Sequence, residues 1–154
     1  MDTQKKELAV AALENGTVID RIPSEHLFKV VKMLGLEQFS NSITIGNNLT
    51  SQKIGKKGII KVADYFFKEE EINKIALIAP LAKINIIRDY HVVEKYTVAL
   101  DDTLRGIVRC NNPKCISNNE PMETVFHVTS RKPVEVTCHY CGRTVKSDEI
   151  EISR

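Results

Sequence analysis

The sequence predicts an α+β chain in two parts. The first is an antiparallel sheet with two helices; the second is a small all-β, zinc-ribbon-like module. Three observations predict this. Residues 1–100 run in the order strand, helix, strand, strand, helix, strand. All four cysteines fall between positions 110 and 141, and the first 109 residues have none. The composition changes near residue 100, where residues 101–154 carry eight Lys plus Arg against eight Asp plus Glu.

Each element of the first part has a local reason. Leu8 to Leu13 is an apolar stretch that ends at Asn15-Gly16, a hairpin-type turn signal. Residues 17–22 alternate as a strand and stop at Pro23. Ser24 is placed to N-cap a helix whose apolar positions are Leu27, Val30, Val31 and Leu34, and Gly35 ends it. Residues 42–45 form a second strand. A polar, glycine-containing loop follows from Gly46 to Gly58, and residues 59–62 form a third strand. Glu69, Glu70 and Glu71 put acid at the start of a second helix, where the dipole favours it. Its buried positions are Ile72, Ile75, Ala76 and Ala79, and Pro80 follows its end. Residues 83–87 form a fourth strand, which Val92-Val93 continues or pairs with. This βαββαβ order is that of ferredoxin-like folds, with both helices on one face of the sheet.

The second part is read from its sulfurs. The spacing is Cys110-x4-Cys115, then 22 residues, then Cys138-x2-Cys141. Two close pairs at that separation match a four-thiolate zinc site, closed and therefore structural. Turn residues fill the first pair (Asn111 to Lys114), and Gly142 follows the second where a knuckle needs a permissive backbone. A disulfide framework is disfavoured because no export signal is present. A redox pair is disfavoured because the strand at 134–137 does not lead into a helix. His127 and His139 read as ordinary surface or turn histidines. Residues 124–128 and 134–136 alternate as short antiparallel strands. A module of about 50 residues buries too little surface to be stable alone, so the metal carries much of its folding free energy.

Composition bounds the function. The chain has 154 residues, and Leu, Ile, Val and Phe number 46, which permits a packed core. The net charge is only +2, and residues 101–154 are neutral before the ion and its thiolates are counted. That argues against a nucleic-acid reader, which needs a basic face. Neither a membrane-spanning run nor an apolar signal segment follows Met1, so a cytoplasmic protein without membrane association is expected.

No catalytic constellation is visible: no Gly-x-Ser-x-Gly, no Walker-type loop, and no cysteine beside a positioned base. Two features remain in the first part. Lys57, Lys61 and Lys95 lie in or beside strands, and converging at one end of the sheet they would make a polyanion site. Asp20 interrupts an apolar strand, where a carboxylate can accept from a ribose hydroxyl or an exocyclic amine. The plainer alternative for the lysines is a solvated sheet face.

Several motifs in order resemble one family over nearly the whole chain. They are residues 16–23 (Gly-Thr-Val-Ile-Asp-Arg-Ile-Pro), 42–49 (Ser-Ile-Thr-Ile-Gly-Asn-Asn-Leu) and 59–62, then Ala79-Pro80 and Ile84-Asn85. The tail adds residues 110–118, Glu120-Pro121 and Cys138-His139-Tyr140-Cys141. Together they resemble the regulatory-chain family of aspartate carbamoyltransferase. The resemblance implies a non-catalytic subunit with a nucleotide-effector domain at 1–100 and a zinc domain at 101–154 that grips the catalytic chain. CTP and UTP would inhibit and ATP activate, and regulatory chains would pair as homodimers through their first domains. It implies that Asp20, Lys61 and Lys95 contact ribose or triphosphate, with Lys57 near the phosphates. Val10, Ala12 and Leu13 would line the base, and Asn85, Ile87, Tyr90 and Val92 would complete the pocket. Cys110, Cys115, Cys138 and Cys141 would hold one structural zinc ion per chain. Arg21 stands where some members of the family carry His. The competing readings are a zinc-ribbon accessory factor for nucleic acid and an enzyme acting on a nucleotide. The second lacks a general base, a nucleophile and an open metal position.

Overall fold

The computed structural model describes residues 12–52 and 54–153. They form two compact units that part between Ala99 and Leu100. Val10 and the start of the apolar stretch from Leu8 lie outside the described residues. No helix among the described residues is long and apolar enough to cross a membrane.

In the first unit the described residues build a five-stranded sheet: β1 (Gly16–Pro23), β2 (Ile43–Ser51), β3 (Gly55–Ala63), β4 (Lys83–Arg88) and β5 (His91–Thr97). The order across it is β2-β3-β1-β4-β5, and every neighbouring pair is antiparallel. Helix α1 (Leu27–Met33) lies between β1 and β2 in the chain, and α2 (Glu69–Asn73) between β3 and β4. Each helix thus joins two strands that are not neighbours, as in a split βαβ pair. The fifth strand is the segment around Val92-Val93, which pairs with β4 as a hairpin.

Directly opposed residues of antiparallel strands share a face. Ile45, Ile60, Ile19, Ile84 and Tyr96 form one row, and Ile19, Ile60 and Ile84 in it are fully buried. This is the helix side. The buried Leu27, Val30, Ile72, Ile75 and Leu77 supply the other half of the core. At Gly58 a Cβ would stand 2.7 Å from Leu27 Cδ1, so any larger residue there would have to displace that buried side chain.

Local expectations meet three corrections. The loop expected from Gly46 to Gly58 is largely strand: Leu49 pairs with Lys57, Thr50 with Lys56 and Ser51 with Gly55. β2 is an edge strand with no fully buried side chain, so pairing with β3 holds it and apolar alternation is not required. Ser24 does not cap α1. It lies within a 3-10 turn (Ser24–His26), and its Oγ is buried with no partner. The second helix is one short α-turn that tightens to 3-10 over Lys74–Leu77, although Ile72, Ile75, Ala76 and Ala79 are all buried as expected. Gly35 ends the α1 region in the left-handed conformation, at φ 65°.

In the second unit, β6 (Thr103–Arg105), β8 (Val125–Arg131), β9 (Val134–Cys138) and β10 (Thr144–Lys146) form a sheet in the order β10-β9-β8-β6. A separate ribbon pairs β7 (Val108–Arg109) with β11 (Glu151–Ile152), and a short helix α3 spans Ile116–Asn119. Phe126 is the largest fully buried side chain and packs in a small core with Leu104, Val108, Val136, Val145 and Ile150.

Candidate functional site

The second unit gathers its four cysteines. Cys138 ends β9, and the chain then turns back so that the Gly142 amide donates to the Cys138 carbonyl at 3.0 Å. Gly142 takes φ 75°, which returns the chain so that the Arg143 carbonyl accepts from the Cys138 amide at 2.9 Å. Cys110 follows β7, and the Cys115 amide donates to the Asn112 carbonyl at 3.0 Å, closing the other turn. All four Sγ atoms lie within 4.8 Å of one another, with Cys110–Cys141 at 3.6 Å and Cys115–Cys138 at 3.7 Å. All four thiols are free. Zinc–sulfur bonds of about 2.3 Å in a tetrahedron give sulfur–sulfur edges of about 3.8 Å. The donor set and its spacing therefore fit one structural zinc ion.

Side-chain amides brace this centre, and spacing alone did not nominate them. Asn118 Nδ2 donates to the carbonyls of Cys110 and Asn112, each at 2.8 Å. Asn119 Nδ2 donates to those of Pro113 at 3.0 Å and Cys115 at 2.8 Å. Arg143 Nη1 donates to Asn111 Oδ1 at 3.2 Å and ties one knuckle to the other. The available signal was the run of asparagines at 111, 112, 118 and 119 around the first cysteine pair.

Without an ion, the thiols differ in acidity. Burial pushes Cys110 up to about 12 and also raises Cys138. Burial opposes ionisation of Cys141 too. There, donation from the Arg143 amide, the Asn112 side chain and the Cys110 and Cys138 thiols outweighs it and brings the group down to about 7. His127 and His139 do not stand apart: their Nε2 and Nδ1 atoms are 2.9 Å apart on the surface.

The second arrangement is the sheet face turned away from the helices. Thr44, Lys61, Val18, Asn85 and Lys95 oppose one another in turn across all five strands, in a single row. The next row toward the start of β1 holds Gly16, Ile87 and Val92. On the other side stands Asp20, paired with Lys83 and bound to Lys57, whose Nζ is 2.8 Å from Asp20 Oδ1. Asp20, Lys57, Lys61, Asn85, Ile87, Val92 and Lys95 are therefore brought together on one face. Lys61 is buried, Asn85 half-buried and Lys95 exposed. Leu13 reaches this region beside Gly16, while Ala12 is exposed. Tyr90 sits in the β4–β5 turn at φ 67°, is 62% exposed, and donates its amide to the Glu14 carbonyl. Lys83 and Thr44 share the face without having been singled out from the sequence.

Comparison with known proteins gives the same division. Residues 8–99 match the family model of the aspartate carbamoyltransferase regulatory chain, allosteric domain. Residues 102–151 match that of the same chain's metal binding domain. The chain is 60% identical over 152 residues to a protein named aspartate carbamoyltransferase regulatory chain from Bacteroides thetaiotaomicron, covering 99% of each. A protein of that name from Parabacteroides distasonis is 60% identical over 149 residues, covering 97% of each. One from Pyrococcus abyssi is 50% identical over 146 residues, covering 94% of this chain and 96% of the relative.

Proposed function

The chain belongs to the aspartate carbamoyltransferase regulatory-chain family, and from that premise we propose that its first domain binds nucleoside triphosphates while its second clasps the catalytic chain. It is a non-catalytic subunit with an allosteric domain and a metal-binding domain, serving pyrimidine biosynthesis. The observation that carries the nucleotide reading is the single row of Lys61, Asn85 and Lys95, flanked by Asp20 and Lys57. Lysine ammonium groups suit phosphate, and the amide and carboxylate suit ribose and base edges. The apolar Ile87 and Val92, with Leu13 and Tyr90, fit the base; Val10 and Ala12 belong to the same proposed lining. CTP and UTP bind there as inhibitors and ATP as activator. Each shifts the enzyme only by preferring one quaternary state, with a coupling of about 1–3 kcal/mol.

For the second domain, Cys110, Cys115, Cys138 and Cys141 are the proposed zinc ligands. The ion supplies rigidity and no open coordination position. The asparagine-braced knuckles form the docking surface. Two large apolar side chains exposed in this unit, Ile116 and Tyr140, each adjoin a cysteine in sequence, which suits a protein partner. Regulatory chains pair through their first domains and so bridge catalytic trimers in the cytoplasm. Titration calorimetry of the zinc-loaded chain with CTP and with ATP tests the nucleotide reading. Heat of binding without turnover of either nucleotide is expected, and absence of heat with both would remove it.

A further inference from the structure

Asp20 and Lys57 form an ion pair on this sheet face. Both side chains are about three-quarters buried, at 24% and 23% exposure, so the pair is shielded from solvent more than a surface ion pair. One oxygen, Asp20 Oδ1, accepts from Lys57 Nζ at 2.8 Å and from the Arg21 amide at 2.7 Å. The second contact follows from backbone geometry. The register of β1 against β3 shifts between Ile19 and Ile22, and Arg21 sits in that bulge at φ 60°, a conformation a non-glycine residue adopts at a cost. The bulge aims the Arg21 amide at the carboxylate, and β3 delivers Lys57 opposite Pro23. Asp20 is thus fixed as the counter-anion of Lys57.

A polyphosphate that enters this face meets Lys57 already neutralised and a carboxylate beside it. We propose that Asp20 is an affinity-setting competitor: phosphate gains Lys57 only by exchange with Asp20, so the carboxylate holds the site's affinity down. The proposal rests on the nucleotide reading above. It adds to a role for Asp20 as a ribose acceptor and is separable from it, because that role alone predicts no change for a ligand with no ribose. Asp20 is here a positioning residue acting through Lys57. No net charge is created or lost when the pair opens, so the exchange is a change of partner for one ammonium group.

The test uses inorganic triphosphate, CTP and ATP with the full zinc-loaded chain, by calorimetry at low and moderate salt. Asp20→Asn keeps an acceptor for the Arg21 amide while removing the charge. It is expected to tighten inorganic triphosphate about tenfold, and Asp20→Ala, which removes the acceptor as well, is expected to tighten it too. In a Lys57→Gln background the same Asp20→Asn change is expected to give little or no gain. An unchanged, weakened or unmeasurable triphosphate affinity in both Asp20 variants overturns the proposal. So does a gain that persists without Lys57, which would mean bulk charge and not exchange. Failure of wild-type chain to bind either CTP or ATP would instead remove the nucleotide reading, and those two controls tell the failures apart.

Discussion

At the scale of single residues, function depends on groups whose partners come from elsewhere in the chain. Cys110 and Cys138 are pushed up by burial, so in metal-free protein near neutral pH both keep their protons. Zinc must displace those protons, and its affinity falls as the pH is lowered. Uptake near neutral pH should release at least two protons per chain, those of Cys110 and Cys138, read from calorimetry in buffers of different ionisation heat. Asn118 holds two carbonyls of the first knuckle. Asn118→Ala should weaken zinc about 10–100-fold, measured against a competing chelator, without changing nucleotide binding. Lys95→Ala should weaken CTP and ATP alike, by about tenfold, because their phosphates are the same; loss of only one would contradict a shared phosphate site. The cysteines were legible in the sequence because their spacing is local. The amide braces were not, since an asparagine does not announce which carbonyl it will meet. The row of Lys61, Asn85 and Lys95 was legible as residue types, but its alignment depends on a register that spans four strands.

At the scale of elements, the sheet is set by β1, which is central and paired on both sides. Its first residue, Gly16, takes φ 145°, and a Cβ there would stand 2.1 Å from the Val62 carbonyl oxygen. Gly16→Ala should destabilise the first domain by about 2 kcal/mol or more, seen as a lower melting temperature for that domain with the zinc content unchanged. The strand and helix order could be read from apolar periodicity, which reports burial. β2 was shortened in that reading because an edge strand exposes side chains on both faces and carries no such signal. The same limit hid the bulges, among them those at Asp20–Arg21 and Asn47–Asn48, where Arg21 and Asn48 take left-handed φ values of 60° and 58°. A bulge arises from pairing across strands, and the local sequence contains no marker of it. Ser24 shows the converse: a residue suited to capping is bypassed when Pro23 and a tight first turn move the helix start.

At the scale of the whole molecule, each unit has its own core and its own chemistry. The first buries Ile19, Ile60, Ile72, Ile75 and Ile84 beneath a sheet. The second gathers a small core around Phe126 and four sulfurs, and structural zinc in such modules contributes an apparent binding free energy of about 10–16 kcal/mol. Cys138→Ala, or chelation, should therefore unfold the second domain while the first keeps its sheet and its proposed nucleotide site. Two thermal transitions should become one under chelation, followed by calorimetry. In the proposed division of labour, the first domain senses triphosphates and the metal-set second domain holds the catalytic chain. The most direct test is size-exclusion chromatography of zinc-loaded and metal-stripped chain with purified catalytic trimer, assaying zinc in each peak. The account predicts that loaded chain co-elutes with the trimer at one zinc per regulatory chain, while stripped chain elutes apart yet still binds CTP. Equal co-elution of the stripped chain would contradict it.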